Sequence, residues 1–387
     1  MKKIFYSTIL KMVEIAFVRS AIYDARVVRV IRSLSKKYSA IYLFWNREGI
    51  EDGLREEMLK NAFDSNLHLS FRVLDVKAPH GERRLRSYLP LLFFLPLFWS
   101  WVFFNLVIHR PKIVHAFDFD TFLPCFIYKI LFRRKVVFEI VDRYAMTFIP
   151  KKFYSLYWII NSLEEAYCKR SDVLITLSEN VLRSFRNKPV KSAVILNCPE
   201  DYTDKRIKTD ERSLVLGYGG AINEGRGLEQ IAAALSDLSN VKLYLYGPII
   251  DKELLNKITQ LPNIEYRGYI RMYDDYHKAI ISTDAIIAVY TIETPSHRIT
   301  MHNKTLEAMM GGIPIITNLS PELVKEIEFG IVVEYGNIEQ IRSAITVLRD
   351  DSEMRKRLGD NGRKAFLQKY NWSIMERKLY DVYENLI

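Results

Sequence analysis

The stretch NKTLEAMMGGIPIIT, residues 303–317, joins a helix signal directly to a strand signal. Its polar start and the pair Gly311-Gly312 predict a short helix over Thr305 to Met310, because polar residues cap helix starts and glycine ends helices. The β-branched, apolar run from Ile313 to Thr317 predicts a strand buried on both faces. A short helix that runs straight into such a strand indicates an α/β domain.

Two charged side chains on this helix indicate a ligand site. Lys304 and Glu307 are three residues apart and therefore share one helix face. A lysine at a helix start can hold a phosphate together with the free backbone N–H groups. A carboxylate one turn later can accept hydrogen bonds from the two hydroxyls of a ribose. The alternative interpretation is a surface salt bridge on an ordinary helix.

The same stretch resembles the donor-site motif of retaining glycosyltransferases of family 4, which often read PNKxFEYMAxGxPVI here. Lysine, glutamate, glycine and proline occur in the same order in both. The resemblance implies an α/β protein of the GT-B fold, in which two Rossmann-like domains face each other across a cleft. It also implies that Asn303, Lys304 and Glu307 contact a nucleotide sugar held mainly by the second domain.

Length and composition fit two globular domains. A chain of 387 residues exceeds one typical domain, and its 49% apolar residues supply material for two cores. Three cysteines without metal-ligand spacing fit a reducing cytoplasm, and we see no secretion signal. With a polar linker at 199–213, we expect an N-terminal acceptor domain over 1–200, a donor domain over 201–370, and a helix over 371–387 that crosses back to the first domain.

The positive charge is concentrated in the first half. Residues 1–204 hold 32 basic and 21 acidic side chains, whereas residues 205–387 hold 24 and 25. This asymmetry indicates a membrane surface or an anionic substrate on the N-terminal side. Nucleic acid is a competing partner, but we expect none, because no nucleic-acid-binding module is recognisable.

Residues 88–108, YLPLLFFLPLFWSWVFFNLVI, are the most apolar stretch, and the basic segment RRLR at 83–86 precedes them. Twenty-one residues without a charge could span a membrane. Two prolines interrupt them, however, and the next segment is a strand that must continue the same sheet. We therefore expect residues 83–108 to bind an anionic membrane surface as an interfacial or partly buried helix. A transmembrane span and a fully buried core helix are the alternatives.

The first domain begins with a β-α-β pattern. KKIFYSTI (2–9) predicts a strand, VVRVIRSLSKKY (27–38) a helix and AIYLFWNREG (40–49) a second strand, which is the order of a Rossmann-like half. Arg26 stands just before the helix. By the resemblance it matches an arginine on the acceptor side of related enzymes, and the alternative is an arginine that caps a surface loop.

Aspartates follow two further strands. Asp118 and Asp142 come after IVH and VVFEIV, and in a parallel sheet ligands bind at the carboxyl ends of the strands. We expect both to face sugar hydroxyls, although loop-capping carboxylates are the alternative. Family members often carry histidines where this chain has Phe117 and Val141. Asp118 and Asp120 could also be a metal-binding pair of the GT-A fold, but GT-B enzymes need no divalent metal and we expect no metal site.

The second domain opens with SLVLGYGGAINEGRGLEQ, a strand that ends at Gly219 and Gly220 and a glycine loop that leads into a helix. The glycines permit close backbone approach, and the helix start aims N–H groups at an anion. NAD(P) is the rival ligand, but G-x-G-x-x-G is absent. By the resemblance, Arg226 takes the place of a lysine that touches the donor diphosphate, and Ala221 stands where relatives often have a second basic residue.

The resemblance also implies a site for the base, in the loop around Tyr269 and Ile270. A second glutamate that the family often has, eight residues before the ribose-binding one, is absent here, since Ile299 stands at that position.

The resemblance implies transfer of a sugar from a UDP- or GDP-sugar, with retention, to a lipid-linked or glycan acceptor in cell-surface polysaccharide or glycolipid synthesis. Arg226, Lys304 and Glu307 are the expected catalytic residues, without a cofactor. We expect a peripheral protein at the cytoplasmic face of the membrane. A non-catalytic nucleotide-sugar-binding subunit and a GT-B epimerase are the other classes that the sequence leaves open.

Overall fold

The computed structural model describes residues 14–22, 24–78, 91–149, 153–189, 191–203, 213–291 and 301–386. The chain divides into two compact units. Unit 1 comprises Met1–Ile195 with Glu376–Ile387, and unit 2 comprises Leu196–Met375. Each unit is a parallel sheet with helices packed on it, so the predicted two-domain α/β fold is confirmed.

The sheet of unit 1 has the order β3-β2-β1-β4-β5-β6-β7 among the described residues, and all its strand pairs are parallel. Its strands are β1 (Ile15–Arg19), β2 (Ala40–Trp45), β3 (Leu69–Leu74), β4 (Ile113–Phe117), β5 (Lys135–Ile140), β6 (Val173–Thr176) and β7 (Lys191–Val194). The chain reverses its direction of winding between β1 and β4. At such a switch point the carboxyl ends of neighbouring strands open a crevice for ligands.

The helices of unit 1 follow the strands as in a doubly wound fold. They are α1 (Ala25–Ser35), α2 (Asp52–Ala62), α3 (Leu91–His109), α4 (Phe119–Phe132), α5 (Tyr144–Phe148), α6 (Tyr154–Arg170) and α7 (Glu179–Ser184). Among the described residues, two of them start at a side-chain cap. The Asp24 carboxylate accepts from the N–H groups of the first turn of α1, and the Ser178 hydroxyl accepts from the Val181 N–H.

The predicted strand at 2–9 lies outside the described residues. The structure forms β1 from IAFVR, which the sequence interpretation did not identify as a strand. Its five residues are too few to show a clear period.

The apolar stretch forms α3, while residues 79–90, and with them the basic segment at 83–86, lie outside the described part of the chain. The side of α3 that carries Leu95, Phe98, Val102 and Leu106 is buried in unit 1, and other positions are exposed. The helix is thus partly buried, as predicted, and not a fully buried core helix. Across the part of the chain that is described, no helix has both the length and the apolar character to cross a membrane.

The sheet of unit 2 has the order β10-β9-β8-β11-β12-β13 in the described ranges, and all its strand pairs are parallel. Its strands are β8 (Leu214–Gly219), β9 (Val241–Tyr246), β10 (Ile264–Gly268), β11 (Ala285–Ala288), β12 (Ile315–Thr317) and β13 (Gly330–Val332). The helices of this unit are α8 (Leu228–Leu235), α9 (Lys252–Ile258), α10 (Tyr273–Ile281), α11 (Asn303–Gly311), α12 (Pro321–Ile327), α13 (Ile338–Asp350) and α14 (Ser352–Gln368). The winding reverses between β8 and β11, which places the switch point of this unit there.

The stretch 303–317 folds as predicted, with its boundaries shifted by one or two residues. It forms α11 and β12, joined by Gly312, whose φ of 60° ends the helix in the left-handed conformation that glycine adopts readily. The helix is longer than expected and packs against α14. This packing buries its second half and fixes where Lys304 and Glu307 lie.

The last helix, α15 (Trp372–Glu384), begins in unit 2 and continues into unit 1. In unit 1 the Tyr380 hydroxyl donates to the Ser33 carbonyl at 2.8 Å, and the Tyr383 hydroxyl lies 2.6 Å from His115 Nδ1. These contacts attach the end of the chain to the first unit.

Candidate functional site

The switch point of unit 2 brings β8 against α10. A Cβ atom added at Gly219 would lie 1.9 Å from the Tyr276 hydroxyl oxygen, so only glycine allows this approach. At Gly220 the added atom would lie 3.3 Å from the Tyr290 hydroxyl oxygen. The two predicted glycines therefore lie beside two tyrosines, which the sequence interpretation did not name.

Tyr276 joins the predicted glycines to the predicted charged pair. The Lys304 ammonium donates to the Tyr276 hydroxyl oxygen at 2.6 Å and lies 3.0 and 3.1 Å from the two Glu307 oxygens. The Tyr276 hydroxyl in turn donates to Glu307 Oε2 at 2.8 Å. We call these three side chains the Lys304 cluster.

The Lys304 cluster is almost wholly internal. Glu307 is 1% exposed, and Lys304 is the member that reaches solvent. Burial and the Glu307 carboxylate hold the pKa of Tyr276 well above its usual range, so its hydroxyl stays protonated and can donate. The pair is therefore not a surface salt bridge. A ribose-binding role for Glu307 stays a prediction, because both its oxygens face Lys304 and Tyr276 in this arrangement.

Arg226 lies over the ring of Tyr290, the tyrosine beside Gly220. Its guanidinium carbon lies 4.5 Å from the Tyr290 ring centre, and its Nε donates to Asn223 Oδ1 at 3.4 Å. The loop is held close to β11, since a Cβ atom at Gly227 would lie 2.2 Å from the Val289 carbonyl oxygen. A half-buried cation with one long hydrogen bond has donors left for an anion.

The remaining predicted donor residues are more scattered. Tyr269 and Ile270 follow the edge strand β10, two strands from β8, and Tyr269 is exposed. The Asn303 side-chain oxygen, at the start of α11, accepts from the Asn197 amide at 3.1 Å. The structure thus gathers Gly219, Gly220, Arg226, Lys304 and Glu307 through Tyr276 and Tyr290, and leaves Tyr269 and Ile270 at the sheet edge.

The switch point of unit 1 holds a second polar cluster. Arg19, the last residue of β1, forms an ion pair with Asp118 at the end of β4 and lies 3.2 Å from Asp24. Asp118 also accepts from the Val141 N–H at 2.9 Å, and its backbone has a φ of 65°, which is rare for a residue with a side chain. Arg19 was missed because the strand that ends with it was missed.

Asp120 adds a buried carboxylate to this cluster. It is 4% exposed, and within the described ranges neither of its carboxylate oxygens has a hydrogen-bond partner. Its backbone carbonyl is fixed by the Trp99 indole N–H at 2.7 Å. A carboxylate buried without donors is costly, and such groups are concentrated at functional sites. The sequence interpretation considered Asp120 only as part of a metal-binding pair.

The other two residues predicted for the acceptor side are Arg26 and Asp142. Asp142 follows β5 and is half-buried. Arg26 is 1% exposed, and its Nε donates to the buried Glu139 at 2.7 Å. Arg26 is therefore an interior side chain of α1 and does not cap a surface loop, and its match to an acceptor-side arginine stays a prediction. Its burial follows from the ion pair, which was not visible in the sequence because its partner is distant in the chain.

Glu139 explains why Arg26 is fixed. Burial alone would raise the pKa of Glu139, but the Arg26 guanidinium and His115 hold it at about 2. His115 stacks on Phe117 with ring centres 4.2 Å apart, and Phe117 is fully buried. The position where relatives often have a histidine therefore contributes an apolar core side chain.

The described residues contain no group of three His, Cys, Asp or Glu side chains placed to hold a metal ion. At both switch points, arginine or lysine side chains lie beside the carboxylates instead. The chemistry that these residues offer is binding of anions in unit 2 and of hydrogen-bond donors in unit 1.

Part of unit 2 matches a known protein family. Residues 213–351 match the family described as glycosyl transferases group 1, a range that contains Arg226, Tyr276, Lys304 and Glu307. The capsular polysaccharide biosynthesis glycosyltransferase CapM of Staphylococcus aureus is 25% identical over 196 residues, which span 48% of this chain and 49% of CapM. The uncharacterized glycosyltransferase MJ1069 of Methanocaldococcus jannaschii is 23% identical over 73% of this chain and 76% of its own length.

Solved structures share the fold. HepE of Anabaena, determined in complex with UDP, superposes with a TM-score of 0.70 at 15% identity, covering 96% of this chain and all of HepE. Sucrose-phosphate synthase of Thermosynechococcus elongatus superposes with a TM-score of 0.69 at 16% identity, covering 96% of this chain and 98% of that enzyme. At such identities the likeness concerns the fold alone, and the fold is that of GT-B glycosyltransferases. The family match over residues 213–351 and this fold together support a group 1 glycosyltransferase.

Proposed function

We propose that this protein transfers a sugar from a UDP- or GDP-sugar to a lipid-linked or glycan acceptor, with retention of configuration. The observation that carries the proposal is the arrangement at the unit 2 switch point. Arg226, Lys304 and two close glycines meet there around Tyr276 and Tyr290. Cations beside glycine-lined backbone at the carboxyl ends of parallel strands suit a diphosphate.

The site offers stabilisation of a leaving diphosphate. As the bond between the anomeric carbon and the phosphate oxygen breaks, the sugar becomes oxocarbenium-like and negative charge grows on the diphosphate. Arg226 and Lys304 are cations placed to stabilise that charge, and α8 and α11 start with no side-chain cap among the described residues. The acceptor oxygen forms the new bond on the same face, and its proton goes to the leaving phosphate.

The acceptor belongs, in this proposal, to the polar cluster of unit 1. Asp118 and Asp120 can accept hydrogen bonds from hydroxyl groups. The carboxylate oxygens of Asp120, which have no hydrogen-bond partner among the described residues, favour a ligand that donates hydrogen bonds. CapM is described as a capsular polysaccharide enzyme, and HepE has been seen with UDP. Both descriptions support a nucleotide sugar as donor and a growing cell-surface glycan as acceptor.

The rate is expected to depend on pH through Asp118. Burial raises the pKa of Asp118 from 3.8 to about 6, with Arg19 opposing the shift and Asp120 adding to it. If the Asp118 carboxylate accepts a hydrogen bond from a hydroxyl group of the acceptor substrate, kcat/KM falls as the pH drops through about 6. A pH profile of wild type, Asp118→Asn and, as control, Asp142→Asn measures this. The decrease of kcat/KM at low pH should be absent in Asp118→Asn and present in the other two proteins. The same decrease in all three proteins would exclude Asp118 as its cause.

Protonation of Asp118 does not unfold the protein, so unfolding through this group does not explain a loss of activity at low pH. Because its folded-state pKa is raised, the contribution of Asp118 to stability is fully present below 3.8 and is lost as the pH rises through about 6. Protonation of this group therefore favours the fold while it removes the acceptor of the hydrogen bond.

We also propose that no divalent metal takes part. Arg226, Lys304 and the helix starts supply the positive charge that Mg²⁺ would otherwise bring to a diphosphate. EDTA is expected to change the rate by less than about twofold, because those groups stay in place. Titration with EDTA and then with Mn²⁺ or Mg²⁺ measures it. A rate that is abolished by EDTA and restored by Mn²⁺ would instead direct attention to Asp118 and Asp120.

Two other functions are separated from transfer by one experiment. The apolar Phe117 at a position where relatives often have a histidine favours a non-catalytic nucleotide-sugar-binding subunit, and an epimerase would change the donor sugar itself. We expect free UDP or GDP to be released from the nucleotide sugar only when an acceptor glycan or glycolipid is added. Binding without release would indicate the subunit, and an altered nucleotide sugar without acceptor would indicate the epimerase.

A further inference from the structure

One side of unit 1 exposes an unusual amount of apolar surface. The helices α3, α4 and α6 lie side by side there. The Trp99 indole of α3 donates to the Asp120 carbonyl of α4, and the Phe122 ring of α4 stacks on Tyr167 of α6 with centres 4.6 Å apart. Because the three helices form one layer, their outward positions make one continuous surface.

Helix α3 contributes a stripe. Phe93 is 86% exposed, and Leu97, Phe104 and Ile108 are exposed with it. Their spacings of four, seven and four residues place them on one side of a helix, opposite the buried positions that hold the helix to unit 1. The exposed residues on this side of α3 are therefore apolar apart from Ser100.

Helices α4 and α6 extend this stripe. On α4 the exposed apolar residues are Ile127, Ile130, Leu131 and Phe132. On α6 they are Tyr154, Trp158, Ile159 and Leu163. We call the exposed apolar side chains of the three helices the apolar face. A contiguous patch of this size on a soluble domain marks an interaction surface.

Positive charge borders the apolar face at one end. All three helices run toward the edge of the sheet where the parallel strands begin, and the residues at that edge are basic. We call the exposed cations there the basic band: Arg110, Arg133, Lys135, Lys169 and Arg170.

The three helices α3, α4 and α6 lie within the described ranges, and their exposed positions carry no acidic side chain. Their acidic residues are Asp120, Glu164 and Glu165, and all three are buried. The nearby Asp172 is neutralised by Lys129 at 2.8 Å and by Lys135 at 3.6 Å. A basic residue at the end of each helix would suit the helix dipole, but the dipole gives no reason for the apolar residues beside it.

We propose that the apolar face and the basic band dock unit 1 on an anionic phospholipid surface, with α3, α4 and α6 lying in the plane of the interface. Apolar side chains with aromatic residues among them enter the boundary between headgroups and acyl chains, and the cations contact the headgroups. A second copy of the chain is the less favoured occupant, because the exposed positions of these three helices carry no acidic side chain that could pair with the basic band of the other copy. This docking depends on the proposed function in one respect, because its purpose would be to give the enzyme access to a lipid-linked acceptor. It also extends the predicted contact of residues 83–108 to three helices.

The test uses the full chain and vesicles of phosphatidylcholine with or without phosphatidylglycerol. One variant, Phe93→Gln/Phe104→Gln/Ile130→Gln, changes only exposed residues of the apolar face. A second, Arg133→Gln/Lys169→Gln/Arg170→Gln, neutralises three cations of the basic band. The matched control, Lys325→Gln/Lys356→Gln/Arg357→Gln, removes three exposed charges from unit 2.

Wild type and control are expected to float with the anionic vesicles. Each of the other two variants should bind them about 100-fold more weakly, since each loses three contacts worth up to about tenfold apiece. High salt should weaken wild-type binding toward that of the basic-band variant. Unchanged thermal unfolding of all proteins confirms that the substitutions leave the fold intact.

Three results would overturn this docking. They are wild type that floats with neither vesicle, variants that float as well as wild type, and a wild-type dimer that the apolar-face variant converts to a monomer. The last result would assign the face to a second copy of the chain. UDP and GDP binding by the same preparations reports separately on unit 2, so failure of docking and failure of the proposed function are distinguishable.

Discussion

Replacing Lys304 with alanine is expected to lower kcat/KM by about 30- to 1000-fold, because it removes one preorganised cation from a diphosphate that gains charge in the transition state. The same substitution is also expected to destabilise the protein. It leaves Glu307, which is 1% exposed, with Tyr276 as its remaining partner in the Lys304 cluster. Removing one partner of a buried ion pair lowers the free energy of unfolding by about 3–5 kcal/mol. Because Lys304 is partly exposed, we expect a loss at the lower end of that range.

A double variant separates the two effects. In Lys304→Met/Glu307→Gln the buried charge is removed together with its partner, and the amide that replaces the carboxylate can still accept from Tyr276. Thermal unfolding should therefore return close to that of wild type, whereas kcat/KM should stay as low as in Lys304→Ala or fall further. If the double variant regained both stability and turnover, Lys304 would be a structural residue and the diphosphate assignment would fail.

Arg226→Ala is expected to lower kcat/KM by a similar factor, about 30- to 1000-fold, without a loss of stability. Arg226 is half-buried and is held by one 3.4 Å hydrogen bond and by the Tyr290 ring, so its removal leaves no buried charge behind. Arg226→Lys should keep more of the turnover, because the charge remains while the planar fork is lost.

The chain offers a matched control for Arg226. Arg267 also stacks on a tyrosine, with its guanidinium carbon 4.1 Å from the centre of the Tyr244 ring, but it lies on the edge strand β10. Arg267→Ala should keep wild-type steady-state kinetics. Equal losses in Arg226→Ala and Arg267→Ala would mean that general surface charge, and not a contact at the switch point, governs turnover.

The switch point of unit 2 was largely predictable because its signals are local. The helix and strand in 303–317 follow from caps, glycines and periodicity within one short segment, and the order of strands places Gly219 and Gly220 at the same edge. Tyr276 and Tyr290 were not predicted. A tyrosine on a helix or at the end of a buried strand resembles a core residue, and only the close approach at Gly219 and Gly220 reveals its position.

The switch point of unit 1 was less predictable because its contacts are distant in sequence. Arg19 and Asp118 are 99 residues apart, and Arg26 and Glu139 are 113 apart, so neither pair has a signature within a single segment. The apolar stretch around α3 was predicted to be an interfacial or partly buried helix. The contributions of α4 and α6 emerged only when the structure placed them beside it.

The central claim is that the unit 2 switch point binds the diphosphate of a nucleotide sugar, and isothermal titration calorimetry with UDP and GDP tests it most directly. We expect wild type to bind one of the two nucleotides at one site per chain, Arg226→Ala to bind it at least about tenfold more weakly, and Arg267→Ala to bind it as wild type does. Saturating nucleotide should also raise the unfolding temperature of wild type. Absence of binding to both nucleotides, or equal affinity of wild type and Arg226→Ala, would contradict the claim.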